Sequence, residues 1–150
     1  MTDNIQRILV ATDFSSCSSA ALERAGYIAA SLGAQLTAIH VWDYKAVYTD
    51  AMVGSGPPEA AVHKREAEAA EKMAAFTEKA RAVGVTITET LMRRGSPEDE
   101  IVKAAEEGGF DLIVMGTHGR EGVPRFFIGS VAEHVVRRAG CPVLTVRRDG

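Results

Sequence analysis

Apolar and polar positions along the chain alternate between two rhythms. Short runs rich in Ile, Leu and Val recur at Ile5–Thr12, Gln35–Trp42, Val85–Met92, Phe110–Met115 and Pro142–Val146. These runs are nearly continuous rather than alternating, as expected of strands buried on both faces. Between them lie segments with helical spacing. Ser18–Leu32 carries Leu22, Ile28 and Leu32 among alanines, and Gly33 follows as a C-cap. Glu59–Val83 repeats Val62, Ala69, Met73, Phe76, Ala80 and Val83 on one stripe, with Lys64, Glu68, Glu71, Lys72 and Glu78 opposite. The stripe reads as core packing, and Gly84 ends the helix. Ser96-Pro97-Glu98-Asp99 combines a cap, a first-turn proline and acids, so a helix starts there and runs to Glu107, before Gly108-Gly109. A last helix spans Ser130–Arg138 and ends at Gly140.

The order is β-α-β-α-β-α-β-α-β. Strands alternating with helices imply right-handed crossovers and a parallel sheet covered on both faces, an α/β sandwich of three layers. In such sheets ligands bind beyond the C-terminal strand ends, where the strand order reverses. Those ends carry Thr12-Asp13, Val41-Trp42, Arg94-Gly95 and Gly116-Thr117-His118-Gly119.

The chain has 150 residues, which predicts one domain spanning 1–150. A net charge of −3 gives no electrostatic reason to expect nucleic acid. No apolar run approaches the ~18 residues of a membrane span, and the polar start Met1-Thr2-Asp3-Asn4 is unlike a signal peptide. The expected location is therefore cytoplasmic. Cys17 and Cys141 lie far apart and form no CxxC pair, so they read as buried or half-buried reduced thiols rather than metal ligands.

Chemistry concentrates between the fourth and fifth strands. Gly116 and Gly119 let the backbone leave the strand with N–H groups facing the crevice, and Gly129, Ser130 and Val131 add the N–H groups of a helix start. The Ser130 hydroxyl either donates to a phosphate oxygen or caps its own helix. A helix terminus contributes only about 0.3–1 kcal/mol to an anion, whereas micromolar binding needs about 8 kcal/mol. Several donors and a base pocket must therefore act together. Asp13 can accept from ribose hydroxyls, hold Mg2+ beside phosphates, or cap the first helix. Val41 can pair its backbone with an adenine edge. Trp42 and Tyr44 either line that pocket or pack elsewhere. His118 either touches phosphate or is structural. His40 and His134 read as structural and His63 as exposed. No GxxxxGK[ST] loop and no GxSxG elbow occur.

Ile8-Leu9-Val10-Ala11-Thr12-Asp13, Ile39-His40-Val41, Gly116-x2-Gly119-x9-Gly129-Ser130 and the closing Cys141-Pro142-Val143-Leu144-Thr145-Val146 together resemble the universal stress protein family. The glycine spacing resembles that family's ATP-binding signature. The resemblance implies strand order 3-2-1-4-5 and an adenine nucleotide, ATP with or without Mg2+, between strands one and four. It implies base and ribose contacts from Ala11, Thr12 and Asp13, an adenine contact from the backbone of Val41, and phosphate contacts from Gly116, His118, Gly119, Gly129, Ser130 and Val131. It also implies a homodimer through the fifth strand. The insert Arg120-Glu121-Gly122-Val123-Pro124-Arg125-Phe126-Phe127-Ile128 holds two phenylalanines where aliphatics are expected, and two arginines suited to phosphate. The expected function is nucleotide-responsive regulation or stress resistance. A slow ATPase and a nucleotide-independent interaction module are the rivals.

Overall fold

The computed structural model describes residues 4–43, 58–118 and 128–148. Among the described residues five strands and four helices alternate: β1 (Arg7–Ala11), α1 (Ser16–Leu32), β2 (Gln35–Trp42), α2 (Glu59–Ala82), β3 (Glu89–Arg94), α3 (Pro97–Glu107), β4 (Leu112–Gly116), α4 (Ser130–Arg138) and β5 (Val143–Val146). The sheet order is β3-β2-β1-β4-β5. All four pairings are parallel. The α/β class is as the sequence pattern predicts, and the 3-2-1-4-5 order is as the family resemblance implies.

Pleating divides each inner strand between two cores. Ile8 and Val10 face Leu36, Ala38, Leu112 and Val114, together with Ala21, Leu22, Ala25 and Ala29 of α1 and Met73, Phe76 and Ala80 of α2. Leu9 and Ala11 face Ile39, Val41, Ile113 and Met115, under Ile101, Ala104 and Ala105 of α3 and Ala132 and Val135 of α4. Ile8, Leu9 and Val10 are wholly buried, which is why β1 reads as one unbroken apolar run.

Several boundaries differ from those expected, for identifiable reasons. Leu32 is 45% exposed and Val83 is 58% exposed, although both continue a helical stripe. Each sits where its helix ends, and the chain doubles back so that a later residue takes the inner place. The Ala34 N–H bonds the Ala29 carbonyl and the Val85 N–H bonds the Ala80 carbonyl. Val85 and Ile87 do pack on the α1–α2 core, but the ladder starts only with Thr88 on Leu36 and with Glu89 opposite Thr37. An edge strand needs little apolar content, so β3 runs on through Arg93 and Arg94 where apolarity stops. Arg93 bonds Glu107 at 2.8 Å and Glu100 at 3.3 Å. The Glu107 hydrogen bond comes first in raising its guanidinium pKa.

β1 starts at Arg7 rather than Ile5 and stops at Ala11, one residue short of Thr12. β4 starts at Leu112 rather than Phe110 and ends at Gly116, and β5 starts at Val143. Phe110 is core instead, with the Arg7 guanidinium 4.7 Å above its ring. Cys17 is buried and Cys141 half-buried, and both are free. Burial, then the charge of Asp111, pushes the Cys141 thiol up. No helix of the described residues is long and apolar enough to cross a membrane.

Gly26 lies in the middle of α1, where alanine would be favoured by about 1 kcal/mol. A Cβ there would lie 2.5 Å from Val85 Cγ2 and 2.7 Å from Cγ1. Overpacking costs about 1–3 kcal/mol, so packing outweighs propensity. Gly26→Ala should lower stability in urea unfolding, and should become neutral or stabilising in a Val85→Ala background. A Gly26→Ala chain as stable as the parent would refute the close approach.

Candidate functional site

Because β1 and β4 are neighbours while their following helices cover opposite faces, a crevice opens beyond their C-terminal ends. It holds a cavity of about 470 Å³, lined by Ala11, Thr12, Asp13, Ser18, Ile39, Val41, Pro97, Ile101, Met115, Gly116, Thr117, His118, Gly129, Ser130, Val131 and Ala132. That volume lies within the usual ~300–1,000 Å³ of small-molecule sites. The floor is apolar, built from the strand-end residues Ala11, Ile39, Val41 and Met115, and Ile101 of α3 closes over it. The polar groups stand at the rim.

Asp13 follows β1 and is locked by its neighbours. The Ser18 hydroxyl donates to its Oδ1 at 2.6 Å, the Ser15 N–H donates to the same oxygen at 3.0 Å, and the Asp13 N–H donates to Ser18 Oγ at 3.0 Å. Asp13 is not the cap of α1. Ser15 is, its side chain accepting from Ser18 N–H. Burial acts to raise the Asp13 carboxyl pKa. The hydrogen bonds from Ser15 and Ser18 outweigh burial, and the carboxyl is held below its ordinary value.

Phe14 comes next and has φ 66°. For a bulky residue this left-handed backbone is an outlier and costs on the order of 1–3 kcal/mol. Its ring packs 4.3 Å from that of His40 and 6.0 Å from that of Phe76, on the α2 face of the sheet. Its N–H is held by Thr12 Oγ1 at 2.9 Å. Asp13 can thus line the crevice while its neighbour anchors the turn from the far face. His40 contributes again, with Nδ1 2.8 Å from the Thr12 carbonyl, which bears out its structural reading. Trp42 lies with Phe14 and His40 in a smaller cavity of about 250 Å³ against α2, and not in the main one.

Two of the glycines serve close approach rather than unusual backbone angles. A Cβ at Gly116 would lie 2.8 Å from Cys17 Sγ, and one at Gly129 would lie 2.9 Å from the Thr117 carbonyl oxygen. The Gly129 N–H donates to that carbonyl at 2.6 Å, so it is not a donor to the cavity as the sequence suggested. Gly129 is also the N-cap of α4, and Ser130 is the first helical residue. The Ser130 hydroxyl therefore stands one position too late to cap its own helix. The Glu133 N–H is the one that reaches Gly129 O. The N–H groups of Ser130, Val131 and Ala132 belong to the first turn and have no carbonyl one turn back. Thr117 N–H bonds Val146 O. His118 lines the cavity with Nδ1 3.0 Å from Thr117 Oγ1. Its Nε2 is buried without a hydrogen-bond partner among the described residues.

The structure therefore brings Ala11, Thr12, Asp13, Val41, Gly116, His118, Gly129, Ser130 and Val131 around one cavity. Gly119, Tyr44, Arg120, Glu121 and Arg125 lie outside the described residues. Sequence reasoning missed Ser18, Ile39, Pro97, Ile101, Met115, Thr117 and Ala132. Ile39 lies two residues before Val41 on β2 and shares its pleat face, so period-2 counting back from Val41 would have found it. Among the lining residues described, Asp13 is the one carboxylate, and neither lysine nor arginine occurs. His134 Nε2 lies 3.1 Å from Asp99, joining α4 to α3, and exposed His63 lies 3.7 Å from Glu59.

Sheet order, crossovers and crevice define a doubly wound α/β domain with a ligand-sized cavity at its switch point. A sequence profile of the universal stress protein family matches residues 4–147. Universal stress protein MJ0531 of Methanocaldococcus jannaschii is 38% identical over 143 residues, 95% of this chain and 82% of that one. A universal stress protein solved in complex with cAMP is 29% identical with a TM-score of 0.66, over 95% of this chain and 97% of that one. One from Archaeoglobus fulgidus, solved in complex with dAMP, is 26% identical with a TM-score of 0.66, over 95% and 98%. The chain belongs to the universal stress protein family.

Since folding lowers the Asp13 pKa below 3.8, the ionised carboxylate adds stability that is fully present above that value. The contribution is lost as pH falls through the folded-state pKa. The stability gap between wild type and Asp13→Asn should therefore be constant near neutrality and shrink below pH 3.8, as read by thermal melts across pH. A gap that is the same at every pH would contradict the assignment.

Proposed function

We propose that the crevice binds an adenine nucleotide, with ATP as the physiological form, and that nucleotide occupancy regulates a stress-resistance role. The observation that carries this reading is the convergence on one apolar-floored cavity of the first turn of α4, the His118 Nε2, buried with no partner among the described residues, and the carboxylate of Asp13. The base lies on Ala11, Ile39 and Val41, with its polar edge met by the Val41 backbone. Thr12 and Asp13 meet the ribose. The Ser130 hydroxyl, the N–H groups of Ser130 and Val131, and His118 meet phosphate, alongside Gly116 and Gly119. Gly129 acts by letting α4 approach Thr117. The two family members solved with cAMP and dAMP support an adenine nucleoside bearing a phosphate as the shared ligand chemistry.

Among the described residues no group of three His, Cys, Asp or Glu is placed to hold a metal ion. One carboxylate beside phosphate oxygens suits Mg2+ that arrives with the nucleotide, so Asp13 is the residue that would meet it. A carboxyl held below its ordinary pKa is a weak proton acceptor. That favours binding over hydrolysis and counts against the slow-ATPase reading. The edge strand β5, with Val143, Leu144 and Val146 half-exposed, suits a homodimer formed by covering that edge.

Calorimetric titration of the intact chain with ATP, AMP and adenosine tests the site. Ser130→Ala removes the hydroxyl alone. Ser130→Pro also removes an N–H, at a first-turn position that tolerates proline. Gly129 already has the extended ψ of 157° that a following proline requires. Hydrogen bonds to charged groups contribute about 1.5–3 kcal/mol, so Ser130→Pro should weaken ATP and AMP by roughly tenfold or more while leaving adenosine unchanged. No binding of any of the three by wild type, with or without Mg2+, would reject the nucleotide reading in favour of a nucleotide-independent interaction module.

A further inference from the structure

Asp13 supplies the carboxylate of the cavity lining, but its geometry belongs to another residue. Ser18, two positions into α1, is 4% exposed and lines the same cavity. Its hydroxyl lies 2.6 Å from Asp13 Oδ1, within the ~2.5–2.7 Å range of a charge-assisted O–H···O⁻ bond. Ser18 Oγ in turn accepts the Asp13 N–H at 3.0 Å. A serine hydroxyl has one proton, and here the carboxylate receives it. Ser15 completes the cage. Its N–H donates to Oδ1 at 3.0 Å, its Oγ accepts the Ser18 N–H at 3.3 Å, and the two hydroxyl oxygens are 3.3 Å apart.

We propose that Ser18 is a positioning residue that makes the site select for ribose hydroxyls, by fixing the Asp13 carboxylate as an oriented acceptor at the cavity rim. This rests on the nucleotide reading above. Two donors on one carboxylate oxygen fix the plane of the group. A carboxylate held in that plane and surrounded by donors can only accept. A ligand hydroxyl satisfies it, whereas a carbonyl or phosphate oxygen in the same place repels it. Sites built to hydrogen-bond a substrate hydroxyl discriminate strongly against the analogue lacking it, because that analogue forgoes the hydrogen bond. Orientation is what gives that discrimination its size. A carboxylate free to rotate turns toward solvent and no longer penalises the missing hydroxyl. Ser18 acts through Asp13, and the sugar rather than the base or phosphate registers its loss.

The test is calorimetric titration of the intact protein with AMP and with 2′,3′-dideoxy-AMP. Wild type should prefer AMP by roughly tenfold or more, the scale of one charge-assisted hydrogen bond. Ser18→Ala should shrink the preference to about twofold by weakening AMP while leaving the dideoxy ligand unchanged. Ser18→Cys, which keeps the volume with a weaker donor, should fall between and serves if the alanine variant does not fold. In an Asp13→Asn background Ser18→Ala should alter neither affinity. Equal losses for both ligands in Ser18→Ala would indicate a purely structural serine and overturn the proposal. So would a wild type that binds both ligands equally, while leaving the nucleotide reading standing. A wild type that binds neither overturns both.

Discussion

Strand β1 buries the side chains of Ile8, Leu9 and Val10 completely. A strand apolar on both faces has to be covered above and below, and parallel neighbours are what allow helical crossovers to supply that cover. α1 and α2 take one face, α3 and α4 the other. The chain therefore leaves β1 toward one face, and the connection after β4 departs toward the other. The gap between those departures is the crevice. Core burial thus fixes where a ligand can sit before any polar residue is chosen.

The polar rim follows from the same geometry. Asp13 and Ser130 are far apart in sequence and share a cavity because β1 and β4 pair, with Ile8 opposite Leu112. No single group there is strong enough to hold a nucleotide. The helix dipole at the first turn of α4 supplies only about 0.3–1 kcal/mol. The apolar floor, the oriented Asp13 carboxylate and His118 must add to it. The cost of shaping this rim is visible in Phe14, whose left-handed backbone is held by His40 and Phe76 from the opposite face of the sheet.

Most of the architecture was legible in the sequence, and so was one wall of the cavity. β2 and α4 have the predicted bounds, since Gly33 and Trp42 bracket the first and Gly129-Ser130 opens the second. The misreadings share a cause. Leu32, Val83 and the start of β3 were assigned by periodicity, which continues past the point where a helix end or an edge position changes what faces inward. The cap of α1 stayed open in the sequence because Asp13 and Ser15 both carry a side-chain oxygen that can accept an N–H, and only the fold shows that Ser15 reaches the Ser18 N–H. The opposite wall escaped notice because Ser18, Pro97 and Ile101 are ordinary helix-face residues until α1 and α3 are placed over the strand ends.

The central claim is that the switch-point crevice, and not another surface, is where an adenine nucleotide binds. Backbone amide chemical shifts of the ¹⁵N-labelled protein titrated with AMP test it most directly. The account predicts saturable shifts clustered at Ala11–Asp13, Val41, His118 and Ser130–Ala132, with Arg7, Gln35 and the helix face around Met73 unmoved. Saturable shifts centred on the α2 face, with the crevice amides unmoved, would contradict it.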